Sequence, residues 1–258
     1  MQHTSLPTLK AVAIIPARYG STRFEGKPLA LLGGKPIIQR VYEQASLVLN
    51  DTFVATDDER IFRTVTDFGG KAVMTRADHR SGTDRCWEAV SKLGAENYDI
   101  VINVQGDEPF IHPDQIKTLQ DCFVNPATQI ATLAKAFESD APAGAVLNPN
   151  SPKVVIGKDM QALYFSRSVI PYQRSNGGTP DPKSHTYYRH LGIYAYRTEV
   201  LREITQLPPS SLELAESLEQ LRWLENGYHI SIGLTDRETV GIDTPEDLAR
   251  AEQMLQAK

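Results

Sequence analysis

Cysteine is nearly absent. Cys86 and Cys122 are the only two in 258 residues, and no CxxC spacing joins them. Two such thiols build neither a disulfide framework nor a cysteine-rich metal centre, and a reducing compartment is the simpler expectation. The six histidines show no metal-ligand spacing, so no zinc site is expected. A basic surplus is also missing. The 27 Lys and Arg face 32 Asp and Glu, a net charge of −5, which argues against a general nucleic-acid binder but leaves room for a small basic pocket. No stretch approaches the roughly 18 consecutive apolar residues of a membrane span. The opening MQHTSLPTLK has no apolar core of a signal peptide. A cytoplasmic protein that binds neither nucleic acid nor membrane is expected.

What is present is an alternation of strand-like and helix-like segments. AVAIIPA (11–17) is apolar throughout, and KPIIQRVYEQASLVL (35–49) has helical spacing with Pro36 at its first position. DTFVATD (51–57) and KAVMT (71–75) read as strands, DERIFRTVTDFGG (58–70) and TDRCWEAVSKLG (83–94) as helices, and DIVINVQGD (99–107) as a further strand. Strands that are apolar on both faces, each followed by a helix, imply a parallel sheet covered on both sides. From about residue 130 the rhythm changes. IATLAKAF, a hairpin over 153–167 and YYRHLGIYAYR (187–197) suggest a partly antiparallel second half. SLELAESLEQLRWLENG (211–227) reads as one amphipathic helix stopped by Gly227, followed by the strand YHISIGLT (228–235) and the helix TPEDLARAEQMLQ (244–256). The class is α/β, organised as one unit over 1–258.

Ligands of open parallel sheets sit at the carboxyl ends of the strands. The first such end carries Arg18, Arg23 and Lys27 in IIPARYGSTRFEGKPL. It is no P-loop. Five residues, not four, separate Gly20 from Gly26-Lys27, and Pro28 stands where the Mg²⁺-binding hydroxyl belongs. The cations form either a phosphate clamp, with Arg pairing two oxygens and Lys acting as a point charge, or a solvated basic loop. Asp107 in NVQGDEPF is either a Mg²⁺ ligand or a turn residue bonded to its own backbone. In GIDTPEDL either Asp243 or Thr244 caps the last helix, and if Thr244 does, Asp243 is free. RADHRSGTDR (76–85) offers Arg76, His79, Ser81 and Thr83 before a helix, for a nucleotide or as plain capping residues.

Taken in order, IIPARYGSTRFEGKPL, RADHRSGTDR, NVQGDEPFI, LYFSRSVIPY, RHLGIYAYR, LEQLRWLENG and GIDTPEDL resemble 3-deoxy-D-manno-octulosonate (Kdo) cytidylyltransferases, the CMP-Kdo synthetases. The likeness runs from about residue 11 to 250 of this chain. The opening motif marks only the wider group of sugar nucleotidyltransferases, whereas QGDEP, RHLGIYAYR and LEQLR are more specific. Glu25 departs from the proline common in the family, and loop 173–186 matches no pattern.

The resemblance implies a Rossmann-like nucleotidyltransferase fold of the glycosyltransferase-A type. It has a mixed central sheet and a smaller antiparallel sugar-binding and dimerisation region at about 130–235, in a homodimer. It implies Mg²⁺-dependent transfer of CMP from CTP to Kdo for lipopolysaccharide synthesis. Arg18, Arg23, Lys27, Arg76, Ser81 and Gln105 would bind CTP, with Arg18, Lys27, Asp107 and Asp243 catalytic. Asp107 and Asp243 would hold the metal. Arg167, His190, Tyr194, Glu219 and Gln220 would line the sugar pocket. The alternatives are another acceptor, 8-amino-Kdo or a sialic acid, or a noncatalytic sugar-nucleotide sensor.

Overall fold

The computed structural model describes residues 9–20 and 23–256. Most of the amino-terminal decapeptide read above for a leader, and Ser21-Thr22 of the first motif, lie outside the described residues. In chain order the strands are β1 Ala11–Ala17, β2 Leu31–Leu32, β3 Lys35–Pro36, β4 Thr52–Thr56, β5 Ala72–Met74, β6 Ile100–Asn103, β7 Ile130–Ala136, β8 Lys153–Ile156, β9 Ala162–Ser166, β10 Tyr188–Arg197 and β11 Ile230–Leu234. The main sheet runs β11-β7-β10-β6-β1-β4-β5, with the β8–β9 hairpin branching from β10. Every pairing along that path is parallel except those of β10, which is antiparallel to both β6 and β7.

The apolar run of β1 explains its central place. Ala11, Ala13, Ile15 and Ala17 belong to one core, while Val12 and Ile14 belong to the core on the other face. β6 divides likewise, Ile100 and Ile102 on one side and Val101 on the other. Each fully buried Ile stabilises the sandwich by roughly 1.5–3 kcal/mol before entropy is counted. The chain leaves β1 for β4 and β5 on one side, then returns to β6 on the other. β1 and β6 therefore form a topological switch point, where strand ends splay and open a crevice.

β10 extends past the carboxyl end of β6, because Tyr194 lies opposite Asn103, the last residue of β6. Its register jumps between Leu191 and Tyr194. Thr132 fills the bulge, its Oγ1 donating to the carbonyls of Leu191 (3.1 Å) and Ile193 (2.7 Å). Gln105 Nε2 donates to the Gly192 carbonyl at 3.0 Å. A bulge beside a crevice re-aims the strand, here toward the end of β6.

Two expectations need correction, and one helix was missed. The segment 211–227 is two short helices, Ser211–Glu216 and Gln220–Glu225, broken at Ser217, whose φ is 51°. The helix expected from residue 35 begins at Ile37, since Lys35–Pro36 pairs with Leu31–Leu32. Helix Pro113–Cys122 was not anticipated. Its signal was Pro113 at the first position and Gln115 closing a capping box with His112. Among the described residues no helix is long and apolar enough to cross a membrane.

Candidate active site

The loop after β1 folds back so that Gly26 N–H donates to the Tyr19 carbonyl at 2.9 Å. Gly26 has φ 68°, and a Cβ there would meet the Tyr19 ring at 3.0 Å, so glycine is required. Lys27 follows at the start of a single 3₁₀ turn, and its side chain is only 14% exposed. Its ammonium donates to Asp107 Oδ2 at 2.7 Å and to Asp243 Oδ1 at 3.1 Å. Arg23 Nη1 reaches the other oxygen of Asp243 at 3.1 Å. Two carboxylates far apart in sequence thus share one cation.

Each carboxylate is placed by its backbone. Gly106 lets β1 and β6 close up, as a Cβ there would stand 2.7 Å from the Pro16 carbonyl. Asp107 accepts from Ile242 N–H at 2.9 Å through its own carbonyl, which ties the segment bearing Asp243 to this turn. Thr244 is the cap of the last helix, because its Oγ1 accepts from Asp247 N–H at 3.2 Å. The Asp247 carboxylate in return accepts from the N–H groups of Asp243 and Thr244. Burial opposes its charge, but these bonds prevail and hold its pKa below the ordinary value. Asp243 has no capping duty and faces the cleft.

The cleft, of about 240 Å³, collects Arg18, Arg23, Lys27, Ser81 and Gln105 together with Asp107 and Asp243. Arg80 and Arg85 also line it, and sequence reasoning gave them no role. Ser81 caps helix Gly82–Leu93, accepting from Asp84 N–H at 3.1 Å. Arg76 lies outside this lining. Its Nε sits 3.3 Å from Asp78 and 3.5 Å from Glu88, at the edge of a neighbouring groove. Burial would raise the Glu88 carboxyl, yet bonds from Lys92, the Arg76 N–H and His79 pull it down to about 2. Arg76 thus helps hold a charged cluster beside the cationic cleft.

A second cavity of about 400 Å³ lies along the bulged end of β10. His190, Tyr194, Glu219 and Gln220 all line it, as the resemblance implied. Burial lowers the His190 pKa to about 3, so its imidazole is neutral, and Nε2 lies 3.0 Å from Thr132 Oγ1. Burial likewise raises the Tyr194 phenol. Glu219 accepts from Thr83 Oγ1 and Arg222 Nη2, both at 2.7 Å, but burial outweighs them and raises its carboxyl. The Gln220 amide nitrogen is buried with no hydrogen-bond partner among the described residues.

Arg167 is elsewhere. Its Nε donates to the Glu216 carbonyl (2.7 Å), and its two Nη atoms to those of Pro149 (3.1 Å) and Ser217 (3.2 Å). It fastens the helix break that presents Glu219 and Gln220. Sequence reasoning passed over Glu108, which also lines the second cavity. Burial, with the neighbouring Asp107 charge, pushes its carboxyl up to about 8. The available signal was its position immediately after Asp107, where consecutive side chains leave a strand end in different directions.

A cationic cleft with paired carboxylates at the switch point of such a sheet defines a nucleotidyltransferase. A solved thymidylyltransferase from Bacillus anthracis has the same fold, with TM-score 0.62 at 18% identity over 96% of both chains. The cytidylyltransferase family model matches residues 12–232. The 3-deoxy-manno-octulosonate cytidylyltransferase of Bacteroides thetaiotaomicron is 62% identical over 96% of this chain and 98% of that relative. That of Porphyromonas gingivalis is 55% identical over 96% and 98%. A solved CMP:2-keto-3-deoxy-manno-octonic acid synthetase complexed with CTP aligns with TM-score 0.88 and 46% identity, over 96% of this chain and 99% of the other. The chain belongs to the 3-deoxy-manno-octulosonate cytidylyltransferase family.

Proposed function

We propose that the protein transfers CMP from CTP to the anomeric hydroxyl of Kdo, releasing pyrophosphate. The observation that carries this reading is the turn after β6. Asp107 lines the cationic cleft and the next residue, Glu108, lines the second cavity, so a nucleotide and a sugar acid would meet there. Both reactants are anions, and Arg18, Arg23 and Lys27 offset the repulsion that keeps them apart. The hydroxyl oxygen forms a bond to the α-phosphorus while the bond to the β-phosphate breaks. Pyrophosphate carries off the electron pair, and the hydroxyl proton passes to water. Lys27 and the arginines stabilise charge growing on the leaving group.

Asp107 and Asp243 would hold Mg²⁺. The fit rests on their convergence on a single ammonium, that of Lys27. Among the described residues no third carboxylate, His or Cys joins them. That suits Mg²⁺, which takes one or two carboxylates and completes its shell with substrate oxygens and water. When bound, Mg²⁺ supplies charge that orients the α-phosphate and acidifies the attacking hydroxyl.

We place the protein in the cytoplasm, as one nucleotidyltransferase domain serving lipopolysaccharide synthesis. A homodimer is proposed as well. The edge strand β9 exposes Leu163 (61%) and the chain beyond it Tyr172 (70%), apolar surface suited to a second subunit. Pyrophosphate release from CTP and Mg²⁺ with Kdo, 8-amino-Kdo and a sialic acid tests the reading. Release with Kdo is expected. Release only with another acid moves the acceptor, and CTP binding without any release favours a sensor.

A further inference from the structure

We infer that Arg80 is a further nucleotide-binding residue, its guanidinium pairing phosphate oxygens of CTP at the rim of the cationic cleft; this rests on the function proposed above. The Lys and Arg side chains that line the cleft are Arg18, Arg23, Lys27, Arg80 and Arg85, and its acids are Asp107 and Asp243. Most of that positive charge is already spent. Arg23 and Lys27 pair with Asp243 and Asp107. Arg85, whose side chain is buried, pairs with Asp57 at 3.1 Å and donates to Thr75 Oγ1 at 2.6 Å. Arg18 and Arg80 are left, neither with a side-chain hydrogen bond or ion pair among the described residues. The excess charge that the cleft offers to an anion is therefore shared between these two. A phosphate drawn there by Arg18 meets its second unspent guanidinium in Arg80.

Arg80 is placed by its neighbours while its own side chain stays free. On one side the His79 ring meets the Glu88 carboxylate. On the other, Ser81 caps helix Gly82–Leu93, its Oγ accepting from Asp84 N–H at 3.1 Å and its carbonyl from Arg85 N–H at 3.3 Å. Arg80 thus stands just ahead of a helix start, where backbone N–H groups and the helix dipole also favour an anion. It is exposed, and it lines both the cleft and the groove beside it, which puts it where one opens into the other. Lys27, at 14% exposure, is by contrast withdrawn into the cleft. The acids of the groove do not take up the Arg80 charge, for Asp78 meets Arg76, and Glu88 meets Arg76, His79 and Lys92. A free guanidinium presents two parallel donors, the geometry that matches a phosphate.

The test titrates CTP with Mg²⁺ into the wild type, Arg80→Ala and Arg80→Lys by calorimetry without acceptor, at low and high salt, alongside thermal unfolding and the KM for Kdo. In Arg80→Ala the Kd for CTP should rise about tenfold, the lower end for hydrogen bonds between charged groups because the rim is open to water and salt. Arg80→Lys should recover part of the loss, since it keeps the charge and gives up the fork. The gap between wild type and Arg80→Ala should shrink as salt rises from about 0.05 M to about 0.5 M, as ions screen an exposed pair. The KM for Kdo should not change, and the melting temperature should not fall, because Arg80 has no protein partner to lose. An unchanged Kd for CTP overturns the assignment, as does a gap that salt leaves untouched. A lowered melting temperature with equal weakening of CTP and Kdo makes Arg80 merely structural. If the wild type binds no CTP, the proposed function and this inference fail together. If it binds CTP but transfers CMP to no sugar acid, that function fails while the Kd comparison still decides for or against Arg80.

Discussion

On the proposed function Lys27 occupies the place that Mg²⁺ would take, so replacing it with the near-isosteric Met should change how the free protein responds to Mg²⁺. The two oxygens it bonds lie no farther apart than its contacts of 2.7 and 3.1 Å allow, a separation of at most about 6 Å. At an effective dielectric of about 20, two unit charges so placed repel by roughly 3 kcal/mol, and in bulk water by under about 1. Asp107 and Asp243 are 32% and 44% exposed, which puts the cost between those limits, about 1–2 kcal/mol. For a domain of this size that lowers the melting temperature by about 2–8 °C. Millimolar Mg²⁺ should restore the loss in Lys27→Met without nucleotide, because the carboxylates are then open to it. In the wild type Mg²⁺ should stabilise only together with CTP, whose phosphates draw the ammonium away. Thermal unfolding with and without Mg²⁺ and CTP measures both effects. Equal stabilisation of both proteins by Mg²⁺ alone would refute the idea that Lys27 and the metal compete for one place.

Asp107→Asn should lower turnover by about 100-fold, near 2.7 kcal/mol of barrier, with an unchanged circular dichroism spectrum; near-normal turnover would remove Asp107 from the reaction. Thr83→Val deletes the donor to Glu219 Oε2 and should raise the KM for Kdo about fivefold to tenfold, as one hydrogen bond is worth about 1 kcal/mol. An effect confined to CTP would show that Glu219 serves the nucleotide instead. Burial holds His190 at about 3 against an ordinary 6.5, so between those values the unfolded chain binds a proton that the folded one refuses, and stability falls with pH. In urea, the stability gap between wild type and His190→Gln should narrow by about 2 kcal/mol from about pH 7 to about pH 5. A gap that does not change with pH would mean that the imidazole is accessible in the fold.

The first half of the sheet was legible because each strand carries its own signal. β1 and β6 are apolar on both faces, and only a sandwiched strand can bury both. The site residues at those strand ends were legible as well, since parallel strands bring their carboxyl ends to one edge of the sheet. Asp243 and Thr244 show where local reading stops. Either residue can cap a helix, and the answer lies in a hydrogen bond from Asp247 N–H to Thr244. The helix expected over 211–227 failed for a longer-range cause. Its apolar spacing continues across Ser217, but Glu216 accepts from Ser166 Oγ at 2.6 Å and from Arg167 N–H at 2.9 Å, and the Arg167 guanidinium takes the Glu216 and Ser217 carbonyls. Those partners lie some fifty residues away, and no window of local sequence contains them.

That break does more than interrupt a helix. With Ser217 in the left-handed region, Leu218 turns into the core and Glu219 reaches Thr83, in the first turn of the helix that Ser81 opens at the cationic cleft. A continuous helix would carry Glu219 and Gln220 on one smooth course with Leu218 and Leu221. Broken, it gives the second cavity a wall bonded to the start of a helix that borders the cationic cleft. The residues expected to hold sugar and those expected to hold CTP are therefore mechanically joined where Glu219 accepts from Thr83 at 2.7 Å. Arg167 fits this account better as the fastener of the break than as a pocket residue, for two of its three carbonyl partners, Glu216 and Ser217, are the residues at the break and the third is Pro149.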